Sequence, residues 1–173
     1  MPDKDNRSFI ERAGTIMTVA GWLLFGVLLF VFFNNLLEKQ RNPNQDVATV
    51  YRGDVREVVL QRNKYGHYVT SGKINGQDVV FLVDTGATDV AIPEATANRL
   101  GLTRGPAFRA RTANGITRAW RTRLASVSVG EITLYDVRAS ILDNAGTEEV
   151  LLGMSFLKQL ELIQKGDSLT LRQ

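Results

Sequence analysis

The sequence predicts a mainly β domain, a small closed β barrel with two short helices, preceded by one N-terminal transmembrane helix. Three observations carry this reading. From residue 57 onward the chain breaks into short apolar runs separated by turn signals. Only two stretches in that region, 93–101 and 154–160, read as helices. Ahead of them, residues 16–33 carry no charge and no proline.

The apolar segment is the first element. As a helix it extends roughly 27 Å at 1.5 Å per residue, about the thickness of a bilayer core. It is apolar all round, which argues against a core helix of a soluble domain. No small-x-small cleavage pattern follows Phe33, so an uncleaved signal anchor fits better than a removed signal peptide. The chain thus divides into a polar tail (1–14), the membrane helix (15–33), a stalk or linker (34–56) and a domain (57–173). Lys4, Arg7 and Arg12 before the span balance Lys39, Arg41 and Arg52 after it, so positive charge does not orient it. A long C-terminal domain behind a single anchor usually translocates. The expected topology is therefore a cytoplasmic N-terminus in the inner (plasma) membrane, with the domain on the periplasmic or outer side.

Within the domain, residues 58–62 and 67–74 read as strands, and Asn75-Gly76 is the strongest hairpin signal in the chain. Residues 77–83 return from that turn. Pro93 at a first helical position, Glu94 beside it and Gly101 at the stop mark the first short helix. Residues 107–112 and 117–124 form a second hairpin around Asn114-Gly115. Taken as a two-residue turn, that pair sets Ala113 against Ile116, Arg111 against Arg118 and Arg109 against Trp120. Further strands run through 127–129, 131–142 and 149–152, and Lys165-Gly166-Asp167 joins the last two. No acidic residue lies between Glu94 and Glu131, whereas Arg99, Arg104, Arg109, Arg111, Arg118, Arg121 and Arg123 do. This is either a solvated basic face near anionic lipid or, in a sharper reading of Arg111 and Arg118, a contact for acidic groups of a substrate.

Composition narrows the chemistry. The 173 residues, 44% of them hydrophobic with formal net charge +3, leave one small domain once the membrane segment is set aside. There is no Cys, hence no disulfide and no thiolate nucleophile. The single His67 argues against a Ser-His-Asp triad or a His-rich metal site and reads as a surface loop residue. The mild positive charge is no argument for nucleic acid. Neither a metal nor another cofactor is expected.

The stretch that carries chemistry is Val79-Val80-Phe81-Leu82-Val83-Asp84-Thr85-Gly86-Ala87-Thr88. Five apolar residues read as a buried strand that runs straight into a carboxylate. Desolvating Asp84 is costly, so its position there requires a return. Gly86 lets the backbone approach the carboxylate closely. Two carboxylates face to face share a proton, since like charges at short range cannot both ionise. The ionised one then activates water while the protonated one donates to a carbonyl oxygen. The chain has a single Asp-Thr-Gly, so if it works by such a pair of carboxylates, the second must come from a second chain, most simply through a two-fold homodimer.

Asp84-Thr85-Gly86-Ala87-Thr88 after an apolar strand, followed much later by Leu151-Leu152-Gly153, resembles the retropepsin-like aspartic proteases, in particular a bacterial branch with a single membrane anchor. The resemblance covers about residues 57–173. It implies a barrel of retropepsin (acid protease) type and aspartic endopeptidase activity on protein or peptide substrates. It makes Asp84 the catalytic carboxylate, with Thr85, Gly86, Ala87 and Thr88 completing the active-site loop. Leu151, Leu152 and Gly153 are then its support, and the hairpin tip Ala113-Asn114-Gly115 is the flap. One departure stands out: retroviral members usually carry Arg or Asn after the later Gly, where this chain has Met154. The competing reading is a non-catalytic dimer of the same fold that holds an extended peptide by strand addition.

Overall fold

The computed structural model describes residues 4–112, 115–143 and 148–173, with side chains from Gly14 on. Two compact units result, residues Met1–Glu38 and Lys39–Gln173. The first is most of a helix, α1 (Lys4–Arg41), whose stretch Gly14–Arg41 is long and apolar enough to cross a bilayer. Trp22, Phe25, Phe30 and Leu23 each expose more than half of their surface.

The second unit runs in chain order through β1 (Thr49–Arg52), β2 (Val55–Gln61), β3 (Val69–Ile74), β4 (Gln77–Val83), β5 (Val90–Pro93), α2 (Glu94–Arg99), β6 (Ala107–Thr112), β7 (Gly115–Val129), β8 (Ile132–Leu142), β9 (Val150–Leu152), α3 (Met154–Leu157), β10 (Glu161–Lys165) and β11 (Ser168–Arg172). One sheet has the order β3-β4-β9-β5-β8-β7-β6, and β3 also pairs with β7 through Lys73↔Ser128 and Ile74↔Val127. That last pairing closes six strands into a barrel. It requires Gly72: a Cβ there would lie 2.3 Å from the Ser128 carbonyl oxygen and 2.6 Å from the Phe81 ring. Phe81, Ile74, Leu124, Ile141, Leu152 and Phe156 fill the interior and are fully buried. The Asn75-Gly76 turn forms as expected, with positive φ at both residues (50° and 81°), as a two-residue type I′ hairpin demands.

Three details differ from the sequence reading. The stretch 34–56 is expected as a stalk in which 36–41 can extend the helix and 42–45 end it; α1 does run to Arg41, but beyond it β1 joins the sheet β1-β2-β11-β10 where a linker is expected. Between them Asn44 is 4% exposed; its side-chain amide donates to the carbonyls of Gln61 (2.9 Å) and Val69 (2.7 Å) and its Oδ1 accepts from the Gln61 N–H (2.7 Å). A carboxamide carries both donors and acceptors, so it satisfies backbone groups where β2 and β3 diverge. In sequence such a residue looks like loop.

The second difference is register. In the β6–β7 arm Thr112 faces Gly115, Arg111 faces Ile116 and Arg109 faces Arg118. The expected pairs Arg111–Arg118 and Arg109–Trp120 are therefore displaced by two residues. Gly115 takes φ of 110° as a strand residue, and its carbonyl accepts from the Thr112 hydroxyl at 2.9 Å. A shift of two leaves every side chain on the same face, so alternation cannot discriminate the two registers. Ala113 and Asn114 of the expected tip lie outside the described residues. The third difference is in β4, expected as wholly buried: Val79 and Phe81 point inward, whereas Val80 is 39% exposed.

The four-stranded sheet carries a pH-sensitive knot. Glu57 on β2, 6% exposed, accepts from Arg172 Nε at 2.8 Å and from Arg52 Nε at 3.0 Å. Burial pushes its carboxyl up, but hydrogen bonds from Arg172 and Arg52, with their charges, outweigh this and hold it below its ordinary value of 4.5. A carboxyl depressed in the folded state contributes stability that is complete above its unfolded value and is lost as pH falls through the folded one. Thermal unfolding should therefore show the native chain losing stability from about pH 4.5 downward more steeply than Glu57→Gln. Parallel acid profiles for the two would exclude this role.

Candidate active site

Asp84 follows directly on β4, and β9 lies parallel to that strand with Val83 opposite Leu152. The Asp84 N–H continues the ladder by donating to the Leu152 carbonyl at 3.2 Å. The chain then turns back on itself. The Ala87 N–H donates to the Asp84 carbonyl (3.3 Å) and the Gly86 N–H to Asp84 Oδ1 (2.9 Å), which fixes one carboxylate oxygen. At Gly86 a Cβ would stand 3.1 Å from that oxygen.

The loop is held from the other side by α3. The N–H groups of Met154 and Ser155, which have no partner within the helix, donate to the carbonyls of Ala87 (2.8 Å) and Thr88 (2.9 Å). Gly153 is where the two backbones touch: a Cβ would lie 2.3 Å from the Asp89 carbonyl oxygen and 2.7 Å from that of Ala87. Leu152 is fully buried in the barrel core, and Leu151, on the opposite face of β9, is half-buried. Met154 is half-buried and packs against the core.

Ser155 is the positioning residue that the sequence reading missed. It is 5% exposed; its hydroxyl accepts from the Val90 N–H (3.0 Å) and donates to the Arg138 carbonyl (2.7 Å), tying the far end of the loop to β8. Its only local signal is a small hydroxyl side chain two places after the turn glycine. Asp89 lies 3.4 Å from Arg138 Nη2, an ion pair across the same junction.

Exposure corrects one expectation. In the single chain Asp84 is half-buried, and Thr85, Gly86 and Thr88 are exposed. The carboxylate is supported from below and open above, not desolvated by its own chain. Beside it lies a second apolar cluster on the outer face of the barrel wall: Ala91, Ala119 and Leu142, with Phe108, Ala110 and Leu151 packed against them. Leu82 pairs with Leu151, so strand alternation places Asp84, two residues on, toward this same face. Phe108 and Ala110 come from the β6–β7 arm, whose tip glycine Gly115 is exposed. Among the described residues no group of three or more His, Cys, Asp or Glu side chains assembles into a metal-sized cluster.

A closed barrel whose Asp-Thr-Gly loop is pinned by a Leu-Leu-Gly strand and the helix after it is the architecture of a retropepsin-like aspartic protease. Residues 70–159 match the model of the family described as gag-polyprotein putative aspartyl protease, and the chain belongs to that family. It is similar to a retropepsin-like aspartic protease from Rickettsia conorii of known crystal structure, with 27% identity and a TM-score of 0.55 over 73% of this chain and 94% of that one. An uncharacterized protein in the cobV 5′ region of Sinorhizobium sp. is 38% identical over 147 residues, which cover 82% of this chain. The uncharacterized protein RP867 of Rickettsia prowazekii (strain Madrid E) is 30% identical over 112 residues, 62% of this chain. These alignments span 62% and 47%, respectively, of the two relatives' own lengths.

Proposed function

We propose that this chain is a membrane-anchored aspartic endopeptidase that cleaves protein or peptide substrates as a homodimer. The observation that carries the reading is the single Asp84 carboxylate, held by its loop but open on one side beside exposed Thr85 and Gly86. A second copy on that open side supplies the missing carboxylate and the missing burial together. In the dyad, the ionised Asp84 takes a proton from water as the water oxygen bonds to the scissile carbonyl carbon. The partner's Asp84, protonated, gives its proton to the carbonyl oxygen. The tetrahedral diol then breaks its C–N bond as Asp84 gives the proton it took from water to the amine nitrogen and a diol hydroxyl returns its proton to the partner's Asp84, leaving a carboxylic acid and an amine. Thr85 braces the pair, and Leu151, Leu152 and Gly153 hold the loop. The β6–β7 arm, with the described Gly115 at its end, acts as the flap that excludes water.

Incubating the full chain in detergent with a mixed peptide library, native against Asp84→Asn, tests this. Cleavage by the native chain alone supports it. Equal peptide retention by both without any cleavage would instead identify a binding module on the same fold.

The anchor is α1. With the N-terminus in the cytoplasm, the domain works at the outer, periplasmic face of the inner membrane. Alkaline or high-salt extraction should leave the full-length chain in the membrane fraction, because no ionic contact holds an apolar helix there. Recovery as a soluble, N-terminally trimmed protein would exclude a retained anchor.

A further inference from the structure

The arginines between Glu94 and Glu131 fall into distinct settings. Arg104 pairs with Glu94, and Arg123 with Asp136. Arg109, Arg111, Arg118 and Arg121 are exposed and make no ion pair among the described residues. Residues opposed across a ladder share a face. Arg109 and Arg118 oppose each other, and Arg111 opposes Ile116, on the face of the arm that also carries Trp120. That is the face away from Phe108, Ala110 and the apolar cluster beside Asp84.

Arg121 is on the other face. Its Cα partner is Ser140 on β8, Ser140 pairs with Ala91 on β5, Ala91 with Leu151 on β9, and Leu151 with Leu82 on β4. A single cross-strand row thus runs from Arg121 through Ala91 and Leu151 to the strand that delivers Asp84. The Arg121 guanidinium lies over the Phe108 ring, 5.7 Å from its centroid, so the charge caps the outer end of the apolar cluster. Four strand spacings separate Arg121 from Leu82, and Asp84 lies two residues further along, so the row spans about 20 Å, the length of about six residues of extended peptide.

Resting on the endopeptidase reading above, we infer that Arg121 is a specificity-determining residue that selects an acidic side chain, Glu or Asp, about six residues from the scissile bond. A peptide laid along the row meets apolar side chains near Asp84 and then a single uncompensated cation at the distance of that residue. The guanidinium is held by Phe108 and free to form a forked pair with a carboxylate. An anionic lipid surface is the lesser fit, because Arg121 shares its face with the cluster beside Asp84 and not with Arg109, Arg111 and Arg118.

The test is cleavage of a peptide library by the full chain in nonionic detergent micelles, with Glu, Gln or Lys placed in turn at each position flanking the cut and products read by mass spectrometry. The native chain should favour Glu over Gln about threefold to fivefold at about the sixth position from the cut. Arg121→Gln should erase that preference, Arg121→Lys should keep its direction but weaken it, and Arg121→Glu should turn it toward Lys. No Glu preference in the native chain, the same preference in Arg121→Gln, or a dependence on Arg121 that emerges only with anionic vesicles would overturn the inference. If no peptide is cut, the endopeptidase reading fails separately. Retention of the Glu-containing peptides on immobilised Asp84→Asn chains, with and without Arg121→Gln, then decides: loss with Arg121 sustains the inference, and equal retention overturns it.

Discussion

Asp84→Asn should reduce peptide hydrolysis by at least about 10²–10⁴-fold, the share that general acid–base chemistry supplies. The substitution isolates chemistry from folding. The asparagine side chain would keep the oxygen that accepts from the Gly86 N–H at 2.9 Å, and the position is half-buried, so the loop geometry survives. What disappears is the group that takes the proton from water. The dimeric mechanism adds a sharper expectation. With a ninefold excess of Asp84→Asn chains, about one native chain in ten keeps a native partner, and activity should fall in proportion. Specific activity should also rise with protein concentration until dimers saturate. Asn at one site removes the need for two facing carboxyls to share a proton, so mixed dimers should form at least as readily as native ones. Normal activity of Asp84→Asn would sink the assignment. Full activity of a strictly monomeric chain would sink the two-chain mechanism, because it would place the second carboxylate within one chain.

Gly153→Ala should be nearly as damaging, although residue 153 touches no substrate. The added methyl would meet the Asp89 and Ala87 carbonyl oxygens at 2.3 and 2.7 Å. Both are backbone atoms inside the active-site loop, so relief requires the loop itself to move. Overpacking of this kind costs about 1–3 kcal/mol. The same displacement would stretch the bonds from Met154 and Ser155 to Ala87 and Thr88, which hold the loop against α3. A 1 Å misplacement of a reacting group costs on the order of a hundredfold in rate. The detergent-solubilised chain should therefore show both a lower unfolding temperature and a loss of turnover that exceeds its unfolded fraction at the assay temperature. Native-like values of both would mean that the loop accommodates a side chain and that Gly153 is not its pivot.

Those two positions were legible because their signals are local. Asp84-Thr85-Gly86 and Leu151-Leu152-Gly153 are short strings whose chemistry needs those residue types in that order. The same holds for the Asn75-Gly76 turn, whose φ angles only small or amide residues adopt readily, and for the helix between Pro93 and Gly101, where Gly101 takes φ of 66°. Ser155 was not legible, since its worth lies in two backbone groups, Val90 and Arg138, that are remote in the chain. The folding of 42–52 into the domain was hidden for a related reason: Asn44 satisfies Gln61 and Val69, partners that only the assembled sheets bring within reach.

What the sequence determined by itself was a membrane-length apolar helix, a β-rich domain behind it, and the loop and strand whose motifs mark the retropepsin-like family. Each follows from composition, periodicity or backbone freedom within a few residues. Only the tertiary structure decided the register of the β6–β7 arm, because a shift of two preserves every face and leaves the pattern unchanged. It also decided that the barrel closes through β3 and β7 over Gly72, and that Arg121 shares a face with Asp84 while Arg109 and Arg118 do not. These depend on which strands lie side by side, and that is settled by burial and hydrogen bonding summed over the whole sheet.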